Sequence, residues 1–307
     1  MRIGVDLGGT KIEAVVLDGA GEPLVRRRVP TPAGDYDGTL RAIAGLVEAV
    51  ERETGPCAQT VGIGTPGIPS RVTGAMKNAN STVLIGKPLE GDLRAMLGRP
   101  VRLANDADCF TLSESRGGAA DGAGIVFGVI LGTGVGGGIV VGGRTLQGPN
   151  GIAGEWGHNP LPWPQDDERP GPACYCGKRG CIETFLCGPR LREADRRATG
   201  RGREPAAIAA DAAGGDAEAE RLMARYEDRL ARGLATVVNL LDPDVVVLGG
   251  GLSNLERLYA NVPPLLGRYV FSDRVETRLA RARFGDSSGV RGAALLVDKA
   301  PPTAAPY

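Results

Sequence analysis

The chain has 307 residues, and its 36 lysines and arginines balance its 36 aspartates and glutamates. Such a length can bury one large core or two smaller ones, while the balanced charge gives no basic tract of the kind that binds nucleic acid or an anionic membrane. Neither a long apolar run nor a basic-then-apolar leader occurs, so the sequence predicts a soluble cytoplasmic protein with no membrane partner.

The first predicted element is a hairpin in residues 2–17, RIGVDLGGTKIEAVVL. Two β-rich runs are joined there by a glycine turn, and Asp6 lies near the end of the first strand. Backbone N–H groups of such a turn can approach an anion, although an ordinary hairpin has the same residues. The segment has neither Walker A nor GxGxxG spacing.

Alternating predicted helices and strands follow the hairpin. Apolar spacing predicts a helix over residues 39–54, and the strand-like TVGIGTPG ends at Gly67. After an amide-rich loop that includes Asn80, a short helix near 89–97 leads to the strand VRLA and then to Asn105 and Asp106. Asp106 therefore stands at a sheet edge where ligands usually bind. Aspartate is also a favoured helix N-cap, and local sequence leaves both interpretations open.

Residues 124–143, GIVFGVILGTGVGGGIVVGG, repeat the pattern of two β-runs around a glycine and threonine turn. A single repeat of the hairpin pattern, so far along the chain from the first copy, indicates two related lobes rather than a solenoid. Two such turns could face one another across a cleft and hold a polyphosphate between them.

Residues 154–188 contain the only histidine of the chain and three closely spaced cysteines. Thiolate and imidazole ligands in this number predict a closed tetrahedral zinc site. The candidate ligands are His158, Cys174, Cys176 and Cys181. Buried free cysteines or a disulfide are the alternatives, but Cys57, Cys109 and Cys187 are scattered along the chain.

The remaining third of the chain predicts an amphipathic helix over residues 216–241 and a buried strand, VVVLGGG, over 245–251. The glycine turn after that strand is a candidate site for a nucleotide base. Residues 285–296 predict a loop and a last helix, and the tail after Asp298 is expected to fray.

Taken together, DLGGTK (6–11), NDA (105–107), LGTGVGGG (131–138), GEWGH (154–158) and CYCGKRGCIE (174–183) resemble the ROK family of repressors, open reading frames and sugar kinases. The resemblance covers essentially the whole chain. Within the family, KNANS (77–81) and EWGHNPLPWP (155–164) look most like bacterial fructokinases of the manno(fructo)kinase type. N-acetylglucosamine and N-acetylmannosamine kinases and glucokinases are the close alternatives.

The resemblance implies an actin-like, hexokinase-like α/β fold with two ribonuclease-H-like lobes and a cleft between them. We expect one lobe in residues 1–117, completed by a C-terminal helix at about 290–307, and a larger lobe with the zinc insert in 118–289. It also implies phosphorylation of fructose to fructose 6-phosphate with ATP and Mg²⁺, mannose as a second substrate, a structural Zn²⁺ and a homodimer.

Site residues carried over from the resemblance fall into three groups. Those expected to contact the sugar are Asn80, Asn105, Asp106, Glu155, His158 and Glu183. Those expected near the phosphates and Mg²⁺ are Asp6, Gly8, Gly9, Thr10, Lys11, Gly132, Thr133 and Gly134. Those expected near adenosine are Gly249, Gly250 and Gly251. A sugar alcohol is a poor nucleophile, so Asp106 is predicted to be the general base, while His158 gives one nitrogen to zinc and the other to the sugar.

Two other classes stay open as alternatives. A sugar-responsive transcriptional regulator would need a DNA-binding helix-turn-helix, for which the start of the first strand at Arg2 and the balanced charge give no support. A catalytically dead sugar-binding protein would not require Asp6, Thr10 and Asp106.

Overall fold

Two five-stranded sheets organise the chain, and the computed structural model describes residues 1–56 and 58–298. Cys57 and the predicted continuation of the last helix through residue 307 lie outside the described residues. The predicted fraying of the tail lies outside them as well.

The first sheet and its helices come from the first 115 residues. The strands are β1 (Arg2–Leu7), β2 (Lys11–Leu17), β3 (Pro23–Pro30), β4 (Val61–Thr65), the short β5 (Ile68–Pro69) and β6 (Met76–Lys77), and β7 (Val101–Asn105). The helices are α1 (Tyr36–Thr54), α2 (Leu89–Leu97) and α3 (Asp106–Ser115), with a 3-10 turn at Thr82–Leu84. The strand order is β3-β2-β1-β4-β7, and β5 pairs with β6 alone.

Local chemistry explains where these elements begin. Helix α1 starts three residues before its predicted start, because the Asp35 side chain accepts the Gly38 N–H at 2.8 Å and caps it. Strand β3 was not predicted, because most of its side chains are exposed and no apolar alternation marks it. It is an edge strand whose Arg28 pairs at 2.6 Å with the buried Glu13 of β2.

The second sheet repeats the first. Its strands are β8 (Ile125–Leu131), β9 (Val135–Val141), β10 (Arg144–Thr145), β11 (Val245–Gly249) and β12 (Arg278–Arg281), in the order β10-β9-β8-β11-β12. In both sheets the first three strands are antiparallel neighbours and the last two run parallel to the central one. The repeat of two related lobes predicted from the glycine turns is therefore confirmed.

Helices and short turns fill the rest of the second half. The helices are α4 (Glu183–Leu186), α5 (Gly188–Thr199), α6 (Pro205–Ala213), α7 (Ala217–Leu241), α8 (Arg257–Leu266) and α9 (Ser288–Leu295). The 3-10 turns are Trp156–His158, Asp166–Glu168, Gly251–Asn254 and Gly285–Ser287. Helix α7 agrees with its prediction and begins at the N-cap Asp216, whose side chain accepts two backbone N–H groups.

Helices α3 and α9 connect the two sheets. Helix α9 packs on β1 and β4, whereas α3 packs on β8 and β9, and the two helices lie against each other. Gly292 makes this approach possible, because an added Cβ would lie 1.7 Å from the Cys109 carbonyl oxygen. The two sheets are therefore joined by two tightly packed helices.

The predicted C-terminal helix differs in its bounds: α9 begins at Ser288 and ends at Leu295. Its packing on the first sheet agrees with the idea that it completes the N-terminal lobe, but the division at residue 117 stays a prediction. No helix within residues 1–56 and 58–298 is both long and apolar enough to cross a membrane.

Candidate active site

Asp106 is placed where the parallel strand β7 ends and α3 begins. The N-cap of α3 is Asn105, whose Oδ1 accepts the Ala107 N–H at 2.9 Å, and Asp106 Oδ1 accepts the same N–H at 2.8 Å. Asparagine thus serves as the cap, while Asp106 stays exposed to solvent. The cap-only interpretation of Asp106 is therefore wrong.

The electrostatic setting of Asp106 suits a proton acceptor. Water reaches the carboxylate, but protein surrounds it on most sides, and this burial raises the pKa of Asp106 to about 6. The Ala107 N–H opposes the rise and the negative charge of Glu155 adds to it. A carboxylate with a pKa just below neutrality is ionised at pH 7 and is still basic enough to take a proton.

Asp6 lies near Asp106 on the same edge. Burial first, and then the charges of Asp106 and Glu13, raise the pKa of Asp6 to about 7, while Lys11 opposes the rise. Carboxylate oxygens that destabilise one another's charge are a good setting for a hard divalent cation. This donor set fits Mg²⁺, and Asp6 is the residue that would hold it.

A backbone hydrogen bond closes each of the two glycine turns, and the first turn is one residue longer than the second. In the first, the Gly8 N–H donates to the Lys11 carbonyl at 3.0 Å, and in the second the Gly132 N–H donates to the Gly134 carbonyl at 3.0 Å. Gly9, Thr10 and Thr133 at the tips of the two turns are exposed.

The three glycines predicted to lie near adenosine differ in their surroundings. An added Cβ would lie 2.4 Å from the Phe110 ring at Gly249 and 2.4 Å from the Leu131 carbonyl oxygen at Gly250, where φ is 80°. At Gly251 it would meet no atom within 4 Å. Only Gly251 therefore borders open space, and the other two are required for packing and for the turn.

Glu183 is tied to the second glycine turn. Its Oε2 accepts the Val135 N–H at 2.9 Å, and an added Cβ on Gly134 would lie 2.7 Å from the same oxygen. One carboxylate oxygen of Glu183 is thus occupied by backbone. The link also fixes α4, which follows the cysteine cluster, against the turn that carries Thr133.

The four predicted zinc ligands meet in space. One donor atom from each lies within 4.8 Å of every other, with Cys176 Sγ and Cys181 Sγ 3.6 Å apart. A tetrahedral site with Zn–S bonds of about 2.3 Å has ligand separations of roughly 3.5 to 3.8 Å. The donor set and spacing fit zinc. Cys109, Cys174, Cys176, Cys181 and Cys187 are all free, so the disulfide alternative receives no support among the described residues.

His158 connects this cluster to Tyr175. The Nδ1 atom is 3.5 Å from Cys174 Sγ, on the side of the metal ligands, and Nε2 is 2.9 Å from the Tyr175 hydroxyl. The prediction that the second nitrogen contacts the sugar directly meets an obstacle here, because a tyrosine hydroxyl already bonds to it. Partial loss of hydration, and then the negative charges of Glu183 and Glu155, raise the pKa of Tyr175, although its side chain is largely exposed.

The segment that carries Glu155 is held against β8 and β9. Trp156 packs edge-on to Phe127 at 5.7 Å, and Gly154, with φ 93°, lets its backbone pass within contact of Gly137. Burial raises the pKa of Glu155, His158 and Lys77 oppose the rise, and Glu183 adds to it. These four side chains therefore form one electrostatic group.

The residues 159–172 that lead to the cluster are anchored on α7. Buried Glu168 accepts from Arg229 at 2.7 Å and from Arg232 at 2.9 Å. Burial alone would raise the pKa of Glu168, but these hydrogen bonds hold it at about 2. This ion cluster fixes the segment 159–172, which leads to the cysteine cluster, to the core of the second lobe.

Two side chains near the site were missed by the sequence reasoning. Lys77 donates to the Asn150 carbonyl at 3.0 Å and lies close enough to Glu155 to influence its charge. Tyr175 carries no motif signal apart from its place between two cysteines. Asn80, by contrast, lies with Gly9 on a separate cavity of about 240 Å³, and its contacts among the described residues do not join it to Glu155 or His158.

Comparison with known proteins identifies the family of the chain. The model of the ROK family matches residues 2–300. The N-acetyl-D-glucosamine kinase of Pectobacterium atrosepticum is 41% identical over 300 residues, which cover 96% of this chain and 98% of that protein. The ROK hexokinase structure from Thermus thermophilus matches with a TM-score of 0.85 and 36% identity, covering 96% of this chain and 97% of that one.

A second solved structure, the ROK family glucokinase of Streptomyces griseus in complex with glucose and AMPPNP, matches with a TM-score of 0.78 and 30% identity, covering 96% of this chain and 98% of that one. The fold is thus the actin-like α/β fold of the hexokinase-like sugar kinases, as predicted. The chain belongs to the ROK family.

The closer resemblance to fructokinases is not supported. The curated relatives at about 40% identity are N-acetyl-D-glucosamine kinases, which correspond to the alternative weighed in the sequence analysis.

Proposed function

We propose that the protein is an ATP-dependent N-acetyl-D-glucosamine kinase. The observation that carries the proposal is the 41% identity to such a kinase over nearly the full length of both chains. Fructose, the substrate first expected, becomes the less favoured one. The alternatives from other classes, a regulator and a dead sugar-binding protein, have no comparable support, because the exposed Asp106 has the setting of a working base.

Asp106 is the proposed general base. A sugar hydroxyl must lose its proton as its oxygen becomes bonded to phosphorus, and a carboxylate in hydrogen-bond reach accepts that proton. The Ala107 N–H fixes the orientation of Asp106 at 2.8 Å, and the pKa near 6 keeps it ionised at neutral pH. When bound, ATP with Mg²⁺ would supply the phosphoryl group and neutralise its charge.

Binding and orientation fall to the remaining side chains. We propose that Glu155 and the free oxygen of Glu183 accept from sugar hydroxyls, and that the amide of Asn105 contacts the sugar beside Asp106. The two glycine turns and Lys11 would hold the phosphates, and Gly251 would face adenosine. The cysteine cluster would hold a structural Zn²⁺, and its task would be to fix the loop with His158.

Asn80 and the homodimer remain proposals from the family resemblance alone. The same applies to the lobe division at residue 117.

The test is a substrate panel. The purified protein is given ATP, Mg²⁺ and, in turn, N-acetylglucosamine, N-acetylmannosamine, glucose, fructose and mannose, and ADP release is measured. We expect kcat/KM for N-acetylglucosamine to exceed that for fructose at least tenfold, because a site that pairs a polar group of its substrate rejects analogues that lack it. A preference for fructose would restore the first expectation. If no sugar yields ADP, the kinase proposal fails.

A further inference from the structure

The short hairpin of β5 and β6 extends from the first lobe to the second. It lies between β4 and β7 in the chain, and its two strands form a sheet of their own. The buried Met76 side chain packs in the core of the first lobe, and the Met76 N–H donates to the Lys87 carbonyl at 2.9 Å. The hairpin is therefore anchored to the first lobe.

Side chains of this hairpin contact residues 147–151, which follow β10 of the second sheet. Lys77 Nζ donates to the Asn150 carbonyl at 3.0 Å. Ile68, the partner of Lys77 across the hairpin, lies against Gly151, where an added Cβ would be 2.8 Å from the Ile68 Cδ1 atom. The donor of the Lys77 bond carries a full positive charge, which strengthens a hydrogen bond. The two lobes thus have a polar link in addition to the packed helices α3 and α9.

The contacted loop continues directly to Glu155. The Gln147 side chain accepts from Arg71 of the hairpin at 3.4 Å, and the Gln147 carbonyl accepts the Ala153 N–H at 3.4 Å. The Glu155 N–H in turn donates to the Ile152 carbonyl at 3.2 Å. Because these hydrogen bonds close the loop on itself, the position of Glu155 depends on where the hairpin holds residues 147–150.

Glu155 must keep its place relative to Asp106 if both side chains contact one sugar. Asp106 follows β7 of the first sheet, whereas Glu155 follows β10 of the second, so their separation depends on how the lobes are held together. Burial, and with it the negative charge of Glu155, raises the pKa of Asp106, so the two carboxylates are close enough to interact.

We propose that Lys77 is a positioning residue for the sugar site, because its bond to the Asn150 carbonyl holds the Glu155 loop against the lobe that carries Asp106. This inference rests on the sugar contacts in the proposed function. It assigns a task in substrate binding to a side chain that touches neither the reacting atoms nor the cysteine cluster.

The experiment compares wild type with Lys77→Met, which removes the ammonium group and keeps an unbranched side chain. The Kd of the hexose that wild type binds most tightly is measured by titration calorimetry at pH 7. We expect it to rise about three- to tenfold, as for loss of one hydrogen bond that water can partly replace. Lys87→Met is the matched control, since the Lys87 ammonium lies 5.4 Å from the centre of the Tyr36 ring within the first lobe, and it should leave the Kd unchanged.

A double-mutant cycle with Glu155→Gln tests whether Lys77 acts through Glu155. Lys77→Met should change the Kd less than about twofold in the Glu155→Gln background, because the side chain that Lys77 positions has then already lost its charge. In steady-state assays of Lys77→Met, the KM for sugar should rise with the Kd, while kcat falls less than about threefold because Asp106 is retained.

Three results would overturn the role of Lys77. An unchanged Kd in Lys77→Met would show that the bond is not needed, and equal fold-changes in the two backgrounds would show that Lys77 acts independently of Glu155. Burial raises the pKa of Glu155 and the charge of Lys77 opposes that rise. A Kd of Lys77→Met that matches wild type at pH 8.5 would therefore show that Lys77 only keeps Glu155 ionised.

The proposed function is tested separately by wild-type turnover. A preference for a hexose other than N-acetylglucosamine would overturn that function, whereas the Lys77 comparison uses whichever hexose binds most tightly and keeps its meaning. An unchanged Kd in Lys77→Met refutes the role of Lys77 even if N-acetylglucosamine is the best substrate. If wild type binds no hexose, both proposals fail.

Discussion

The acid limb of the pH profile should report the ionisation of Asp106. A general base must be deprotonated, and burial together with Glu155 raises the pKa of Asp106 to about 6. Activity is therefore present above this pKa and is lost as the pH falls through it. About nine-tenths of the molecules carry the active carboxylate at pH 7 and about one-tenth at pH 5, so kcat/KM should fall roughly tenfold over that range.

The structure also predicts how to move this limb. Glu155→Gln removes a negative charge that contributes to the raised pKa of Asp106, so the midpoint should shift to lower pH. The maximum value of kcat/KM will fall as well, because Glu155 is a proposed sugar contact. The pH at the midpoint of the profile does not depend on that maximum. Glu90→Gln, which removes a partly exposed carboxylate on α2, is the matched control and should leave the midpoint in place.

The assay is ADP release with N-acetylglucosamine from about pH 4.5 to 9 at constant ionic strength. Asp6, whose pKa is raised to about 7, could add a second step, so the profile is repeated at several Mg²⁺ concentrations. A step that moves with Mg²⁺ belongs to Asp6, because a bound cation competes with its proton. A midpoint near the ordinary value of about 4 would refute the reasoning, as would one that Glu155→Gln leaves unchanged.

Four further changes test the site and its supports. Asp106→Asn should lower kcat about 10²- to 10⁴-fold and leave the Kd for sugar nearly unchanged; a kcat like that of wild type would remove Asp106 as the base. Gly292→Ala should cost at least about 3 kcal/mol in urea unfolding, because its Cβ would lie 1.7 Å from a carbonyl oxygen of α3, whereas Gly91→Ala, with open space around it, should stabilise by about 0.5 kcal/mol. Glu168→Gln should cost about 3 kcal/mol in the same assay, because it removes the buried negative charge that Arg229 and Arg232 share and leaves Arg232 with Asp228 alone; an unchanged midpoint would show that the ion cluster is not needed. Cys176→Ser should reduce bound zinc and weaken sugar binding, and wild-type protein that contains no zinc would contradict the metal site itself.

The sequence predicted the regular elements best where one apolar face is buried. Helix α2 has its predicted bounds, and the buried face of α1 contains the predicted Leu40, Ile43, Leu46, Val47 and Val50. Helix α5 was not predicted, because only Leu191 and Asp195 of its twelve residues are buried and arginines dominate its surface. A strongly charged helix has too weak an apolar period for sequence reading.

The candidate site, too, was predicted only in part from the sequence. Residue types and spacing indicated Asp106 at a strand end and the His158 and cysteine cluster, because a helix start and a metal site each require particular side chains in a short stretch. Spacing does not determine the direction of a side chain across the fold. The bond between Glu183 and the Val135 N–H joins residues 48 positions apart, and Gly249 meets the ring of Phe110 from another element.

By itself, the sequence determined the two-lobed α/β pattern, the place of the Asp106 carboxylate at the end of a strand and the cluster of one histidine and three cysteines. These features depend on local residue types and on the periodicity of apolar residues, and both can be read directly from the sequence. Only the tertiary structure decided that Asn105 rather than Asp106 caps α3, that Gly251 alone of its three glycines borders open space, and that Tyr175 occupies the second nitrogen of His158. Such contacts are set by how packed elements orient individual atoms, and a shift of about one ångström is enough to make or break a hydrogen bond.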